Sequence, residues 1–393
     1  MYFIGIDVAK YKHSLAAIRK GGEKIITHFE FANSTEGFRM MLEELARQGI
    51  TDENSRVCLE STGHYGRNLF AHLIAYGFEV CETNPLQTYN YRKAQSIRKV
   101  KNDAADALAL AQWLLIENPT ATRLSSEETC ELKEIARFRT FHSHIIGDCK
   151  RKITAILDQV FPEYAALFSD PFGKTSLAVL LHYPSAQALS HARLDALTRL
   201  LQSKSRGKLG SDQAKALRES ARASFGVAAA AEAQAFKLRE LIEQISFTKR
   251  QTKELDEEIG RLLQKAATPL TSIPGIGPVC AAIILGEIGN IKRFERPSSL
   301  VAYAGLDPSV FESGEFTGTD NHLSKRGSQY LRWALWLAAD RARMFDPSLR
   351  EYYEKKRSEG KCHKVAISAV ARKLCNIIFA ILKSNKPYVC PMS

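Results

Sequence analysis

The sequence predicts an α/β domain followed by a longer, mainly α-helical region. Three observations carry that prediction. Residues 1–122 read as β-β-β-α-β-α-β-α, strand signals vanish from about residue 125, and residues 232–265 repeat apolar side chains at a 3–4 spacing. Three antiparallel strands followed by alternating units is the layout of a ribonuclease-H-like sheet.

Residues 2–8 (YFIGIDV) are an apolar run that ends in an acid, and 14–20 and 24–32 are two further β-rich stretches separated by Gly21-Gly22. Asn33 with Glu36 reads as a capping box, after which Phe38, Met41, Leu42 and Leu45 recur at helical spacing until Gly49. Arg56–Ser61 is the next strand, 65–76 a helix, Phe78–Thr83 a strand and 103–116 an amphipathic helix. Residues 126–160 form a helix with an apolar stripe (Leu132, Ile135, Phe138, Ile145, Cys149, Ile153, Ile156). In 232–265, Leu238, Ile245, Thr252 and Ile259 hold one heptad position and Leu241, Thr248, Leu255 and Leu262 the other. That stripe fits two arrangements, self-association as a coiled coil or an antiparallel hairpin with 126–160. Residues 165–230 are short helices broken at Pro171, Pro184, Gly207 and Gly210. The texture changes again at Pro269, with Pro274-Gly275-Ile276-Gly277, helices over 279–288, 328–345 and 361–383, a further segment 298–306 and a glycine-rich loop 313–327. The expected division is 1–122, 123–266 and 267–393.

The chain has 393 residues and a net charge of +12, so a polyanion is a plausible partner. Its uninterrupted apolar stretches, such as Val279–Leu285 and Ile377–Leu382, fall short of the ~20 residues that cross a bilayer, which predicts no membrane partner. Asp7 and Lys10 interrupt what would have to be a signal peptide's apolar region, which predicts a cytoplasmic protein. The eight cysteines include no C-x-x-C pair and read as buried thiols in a reducing compartment.

Four acids stand out. Asp7 ends the first strand and Glu60 the fourth, which in a ribonuclease-H-like sheet lies beside the first; Asp103 and Asp106 share one helix face. Converging carboxylates call for hard divalent cations, and four of them suit a two-metal phosphoryl-transfer site with Mg²⁺. A lone acid at a strand end or helix start is usually a cap or a solvated charge; the order of all four on these elements is what favours a site. The run from Tyr89 to Lys101 carries Arg92, Lys93, Arg98, Lys99 and Lys101 with two tyrosines and no acid, so it suits nucleic-acid backbone and unpaired bases, or else a solvated helix face. Gly275 and Gly277 resemble the turn of helix-hairpin-helix modules, where glycine lets backbone N–H groups reach a phosphate, although a tight turn between packed helices looks the same. Ser313 precedes Gly314 in a small-residue loop, ten residues before Ser324-Lys325-Arg326-Gly327-Ser328, whose Lys325 and Arg326 suit a phosphate. A serine beside glycine is most often a turn.

Taken together these residues resemble the DEDD-type transposases of bacterial insertion sequences, a family that includes the bridge-RNA-guided recombinases. The likeness rests on Ile4-Gly5-Ile6-Asp7-Val8-Ala9-Lys10, Leu59-Glu60-Ser61-Thr62-Gly63, Lys101-Asn102-Asp103-Ala104-Ala105-Asp106-Ala107, Pro274-Gly275-Ile276-Gly277, Ala302-Tyr303-Ala304-Gly305-Leu306-Asp307-Pro308 and Ser324-Lys325-Arg326-Gly327. The resemblance implies a RuvC-like N-terminal domain with a metal-binding tetrad of Asp7, Glu60, Asp103 and Asp106, a coiled-coil connection, and a C-terminal transposase domain in which Ser313 attacks a DNA phosphodiester. It further implies Mg²⁺, a composite site between protomers of a dimer or tetramer, a structured guide RNA, and a nucleoid-associated bacterial protein. Two departures are local: Thr317-Gly318-Thr319-Asp320-Asn321-His322 is poor in basic residues, and 165–230 lengthens the connection. Ser324 is a second candidate nucleophile. Competing readings are a Mg²⁺-dependent junction nuclease with water as nucleophile, and a nucleic-acid-binding protein with a vestigial site.

Overall fold

The computed structural model describes residues 1–60, 63–95, 102–122, 125–227, 230–309, 312–313, 316–317 and 322–390, and these fall into two compact units, Met1–Leu124 and Ser125–Ser393.

The first unit runs β1 (Tyr2–Asp7), β2 (Lys12–Arg19), β3 (Lys24–Ala32), α1 (Thr35–Arg47), β4 (Ser55–Glu60), α2 (Arg67–Ala75), β5 (Glu79–Thr83), α3 (Pro85–Gln95) and α4 (Asp103–Glu117). The sheet order is β3-β2-β1-β4-β5, with β1–β2 and β2–β3 antiparallel and β1–β4 and β4–β5 parallel. β1 is therefore central, which explains why its sequence is apolar on both faces. Ile4, Ile6 and Leu15 meet Met41, Leu45 and Leu73 of α1 and α2 on one side, while Phe3, Ile18 and Cys58 meet Leu110, Trp113 and Leu114 of α4 on the other. Gly5 makes the second contact possible: a Cβ there would lie 2.1 Å from the Ala107 carbonyl oxygen and 2.4 Å from the Ala111 nitrogen.

The cap of α1 differs from expectation. Ser34, not Asn33, accepts from the Gly37 N–H (3.1 Å), and the Asn33 amide instead donates to the carbonyls of Lys10 and Tyr65. Tying that loop down outweighs the capping box. The helix expected over 65–76 begins at Arg67.

The second unit contains α5 (Glu127–Val160), α6 (Lys174–His182), α7 (Ala186–Ser190), α8 (Leu194–Ser205), α9 (Ser211–Arg222), α10 (Ala231–Ala266), α11 (Pro278–Ile288), α12 (Pro297–Tyr303), β6 (Glu312–Ser313), β7 (Phe316–Thr317), α13 (Gln329–Phe345), α14 (Pro347–Ser358) and α15 (His363–Ser384). α5 and α10 form an antiparallel hairpin, pinned by Arg139–Asp256 (2.9 Å) near one end and Gln234–Gln159 (3.2 Å) near the other. Leu238, Ile245, Thr248, Ile259 and Leu262 of the heptad stripe are buried, so of the two arrangements open to it the stripe adopts the hairpin within its own chain. Two cores sit along that hairpin. α6–α9 pack Leu180, Leu197 and Leu217 against Ile153, Leu157, Leu238 and Ile245; α11–α15 pack Ile283, Leu335, Leu374 and Ile378 against Leu132 and Ile259.

α15 has the length and apolar composition of a membrane span, but its Leu374, Cys375 and Ile378 are fully buried in the second core. No disulfide joins the described cysteines; Cys58, Cys81, Cys149 and Cys375 are buried as expected, whereas Cys130 and Cys362 are exposed.

Candidate active site

Asp7 and Glu60 close adjacent parallel strands, one step beyond the Ile6–Leu59 pair in the register. Asn102 caps α4 by accepting from the Ala105 N–H (2.7 Å), which starts the helix at Asp103 and puts Asp103 and Asp106 in its first turn. The close approach at Gly5 holds that turn against the β1 edge. The four carboxylates therefore share one end of the sheet. Their mutual effect is visible on Asp7, whose carboxyl is pushed from 3.8 up to about 6, first by burial and then by the negative charges of Asp106, Asp103 and Glu60.

Such a donor set suits a hard divalent cation, which relieves like-charge repulsion while accepting oxygen ligands. As placed, no three His, Cys, Asp or Glu side chains among the described residues close round one point. Arg92 of α3 pairs with Asp106, so the one basic side chain expected to follow nucleic-acid backbone that is described next to the tetrad is engaged by it. Lys93 lies over the exposed Tyr89 ring (4.7 Å), and Tyr91 packs against the α4 core. Arg98, Lys99 and Lys101 lie outside the described residues.

In the second unit the Ala302–Pro308 and Ser324–Ser328 motifs form the root of a hairpin arm. Ser324 N–H donates to the Asp307 carbonyl (2.8 Å), Ser309 N–H to that of His322 (2.8 Å) and Ser328 N–H to that of Tyr303 (2.9 Å), while Pro308 and Leu323 form a bridge. Gly327 lies so near Tyr303 that a Cβ would come within 1.7 Å of its carbonyl oxygen. β6 and β7 continue the arm, with Ser313 opposite Phe316. The Ser313 side chain lies outside the described residues. The Ser324 hydroxyl donates to the Asp307 carboxylate. Lys325 is exposed at φ +52°, and Arg326 is exposed 3.5 Å from Asp307.

Gly275 and Gly277 part company. Gly275 (φ +89°) sits against α13, where a Cβ would lie 2.4 Å from the Ala342 nitrogen, so its missing side chain serves packing; Gly277 opens α11 with space around it. The element before this turn is a single 3₁₀ turn, Pro269–Ser272, which makes it a junction between packed elements.

Sequence reasoning missed the polar group beneath the arm. Glu287 of α11, 2% exposed, takes Arg137 of α5 on both oxygens (2.5 and 3.0 Å) and the Ser328 hydroxyl at 2.8 Å, and that hydroxyl also accepts from the Leu331 N–H to cap α13. Burial raises the Glu287 carboxyl, yet the Arg137 and Ser328 bonds outweigh it and hold it below the ordinary range. Its only sequence signal was an acid inside an otherwise apolar helix.

Known proteins carry the same arrangement of segments. Residues 4–162 match a family model described as a transposase of the DEDD IS110 type, and residues 267–354 match the model "Transposase IS116/IS110/IS902 family". An insertion element IS116 protein of Streptomyces clavuligerus is 28% identical over 98% of this chain and 95% of its own length. A pilin gene-inverting protein of Moraxella bovis is 24% identical over 98% of this chain and 97% of its own. A putative transposase of the IS117 mini-circle of Streptomyces coelicolor is 24% identical over 93% of this chain and 89% of its own.

Proposed function

The chain belongs to the IS110/IS116/IS902 family of transposases, and from that premise we propose that it excises and inserts its own insertion sequence by serine-based strand exchange under RNA guidance. The observation that supports the reading is that Asp7, Glu60, Asp103 and Asp106 share one end of the sheet, where the Asp7 carboxyl is raised to about 6. These four would hold Mg²⁺, which when bound supplies positive charge to the attacking and leaving oxygens of phosphoryl transfer. Ser313 is the proposed nucleophile: its hydroxyl oxygen bonds to phosphorus, the bond from phosphorus to a deoxyribose oxygen breaks, and the hydroxyl proton leaves with that oxygen. The covalent intermediate keeps the energy of the broken bond for rejoining. Ser324 is the weaker candidate because its hydroxyl is held by Asp307. The relative that inverts a pilin gene favours cutting with rejoining over hydrolysis by a junction nuclease. A RuvC-like identity for the first unit, a guide RNA and an oligomeric working form belong to the same proposal.

The test incubates purified protein with element-end DNA, the flanking non-coding RNA and Mg²⁺, and looks for a covalent protein–DNA adduct in wild type and Ser313→Ala. An adduct that is lost in the variant and requires the RNA is the expected result. Cleavage by both proteins without an adduct overturns the serine step and leaves a metal-dependent nuclease with water as nucleophile.

A further inference from the structure

The densest run of positive charge in the C-terminal unit includes none of the residues assigned above. Between Lys355 and Lys373 the chain carries seven Lys and Arg and one acid, Glu359, so this short segment holds half of the net charge of +12. The segment covers the end of α14, a short turn and the first three turns of α15, two helices that pack together. Lys355, Arg357, Lys361 and Lys364 are exposed, and Lys356, Arg372 and Lys373 are half-buried.

The fold brings these charges together instead of spreading them. Lys356 from α14 and Lys373 from α15 flank the same ring, Tyr352, at 5.6 and 5.1 Å, and Arg372 is close enough to repel Lys356. Glu359 pairs with Lys356 (2.8 Å) and is one acid among seven cations, and the neighbouring Asp340 is held by Arg343 (2.8 Å). α15 also carries Lys364 in its first turn, with Lys361 just before its cap and no acid in that turn, which sets cations at the positive end of the helix dipole. In the free protein the Arg372–Lys356 repulsion and the cations at the start of α15 are unfavourable. A polyanion lying across both helices reverses their sign.

We propose that this face of α14 and α15 binds the phosphate backbone of duplex DNA. Duplex backbone fits better than unpaired bases, because the aromatic side chains here are already covered: Tyr352 lies between Lys356 and Lys373, and Tyr353 lies under Arg343 and hydrogen-bonds His363 (2.9 Å). The proposal rests on the chain's acting on DNA and not on the identity of the nucleophile, so either can fail alone.

The test measures binding of full-length protein to a fluorescein-labelled random-sequence duplex DNA across a salt series, with a random-sequence stem–loop RNA as a second probe. Lys355, Arg357, Lys361 and Lys364 are replaced together by Gln. A matched control replaces Lys208, Lys215, Lys237 and Lys253, also exposed and positive, by Gln. All eight positions are exposed, and unchanged circular dichroism and thermal midpoint confirm the fold. Each lost phosphate contact removes about 0.9 from the slope of log K against log salt, so the first variant is expected to flatten the duplex slope by about 3 to 4 and to weaken binding about tenfold or more. The control should change little. An equal loss in both variants would mean that only net charge matters, and a loss confined to the RNA probe would reassign the surface; either result overturns the proposal, as does an unchanged duplex slope.

Discussion

Burial and three acidic neighbours alter the chemistry of Asp7 strongly. A carboxyl raised from 3.8 to about 6 is protonated more readily in the folded chain than in the unfolded one. The sign follows from linkage: the folded state binds the extra proton between those values, so without metal its stability falls as pH rises from about 4 to 6. In a fully sheltered setting the shift would correspond to about 3 kcal/mol, and solvent at the sheet edge screens it to about 1–2 kcal/mol. Asp7→Asn is therefore expected to raise the thermal midpoint at pH 7 in EDTA while abolishing strand chemistry; a lowered midpoint would show that the four acids do not repel one another. Glu287 has the opposite sign. Its lowered folded-state value means that the stability it contributes is present above about 4.5 and lost as pH falls through that lowered value. Urea midpoints followed from pH 6 downwards should fall in wild type and be flatter in Glu287→Gln, and Arg137→Ala, which strands a buried carboxylate, is expected to cost about 3 kcal/mol at pH 7. The placement of the four acids at one end of the sheet was legible in the sequence because they end strands and open a helix, positions that topology dictates. Glu287 was not, because its partners are 150 and 41 residues away along the chain.

At the scale of elements, β1 and α4 depend on the absence of one side chain. Gly5 sits where the helix backbone touches the sheet, and that contact is what sets Asp103 and Asp106 beside Asp7. Gly5→Ala must push α4 outward, at an expected cost of about 3 kcal/mol, the upper part of the range for overpacking a tight core. The separation of the acids should grow with it, so that the Asp7 titration, followed by carboxyl carbon NMR, moves back towards 3.8. A destabilised variant with an unmoved titration would separate packing from the site. The strand order could be read from the alternating pattern, but this contact could not, since a glycine in a strand equally signals a bulge. Likewise Gly275 carried the same sequence signal whether it served a phosphate or a neighbouring helix, and only the approach of Ala342 decides how its space is used.

Across the whole molecule, the long helices raise the question of where their apolar stripe is spent. The spacing of Leu238, Ile245, Ile259 and Leu262 is equally suited to a second chain and to a second helix of the same chain, because both present the same seam. The hairpin of α5 and α10 settles it inside the chain, and Ile245, fully buried, faces the core that α6–α9 build on it. Ile245→Ala should therefore cost about 2–5 kcal/mol through the lost methylenes and the cavity left behind. Because that contact is intramolecular, the loss should be the same at every protein concentration. Thermal midpoints of wild type and variant measured over a hundredfold dilution are expected to run parallel. A difference that widens on dilution would mean that the stripe also joins two chains, and that the folded form depends on their association.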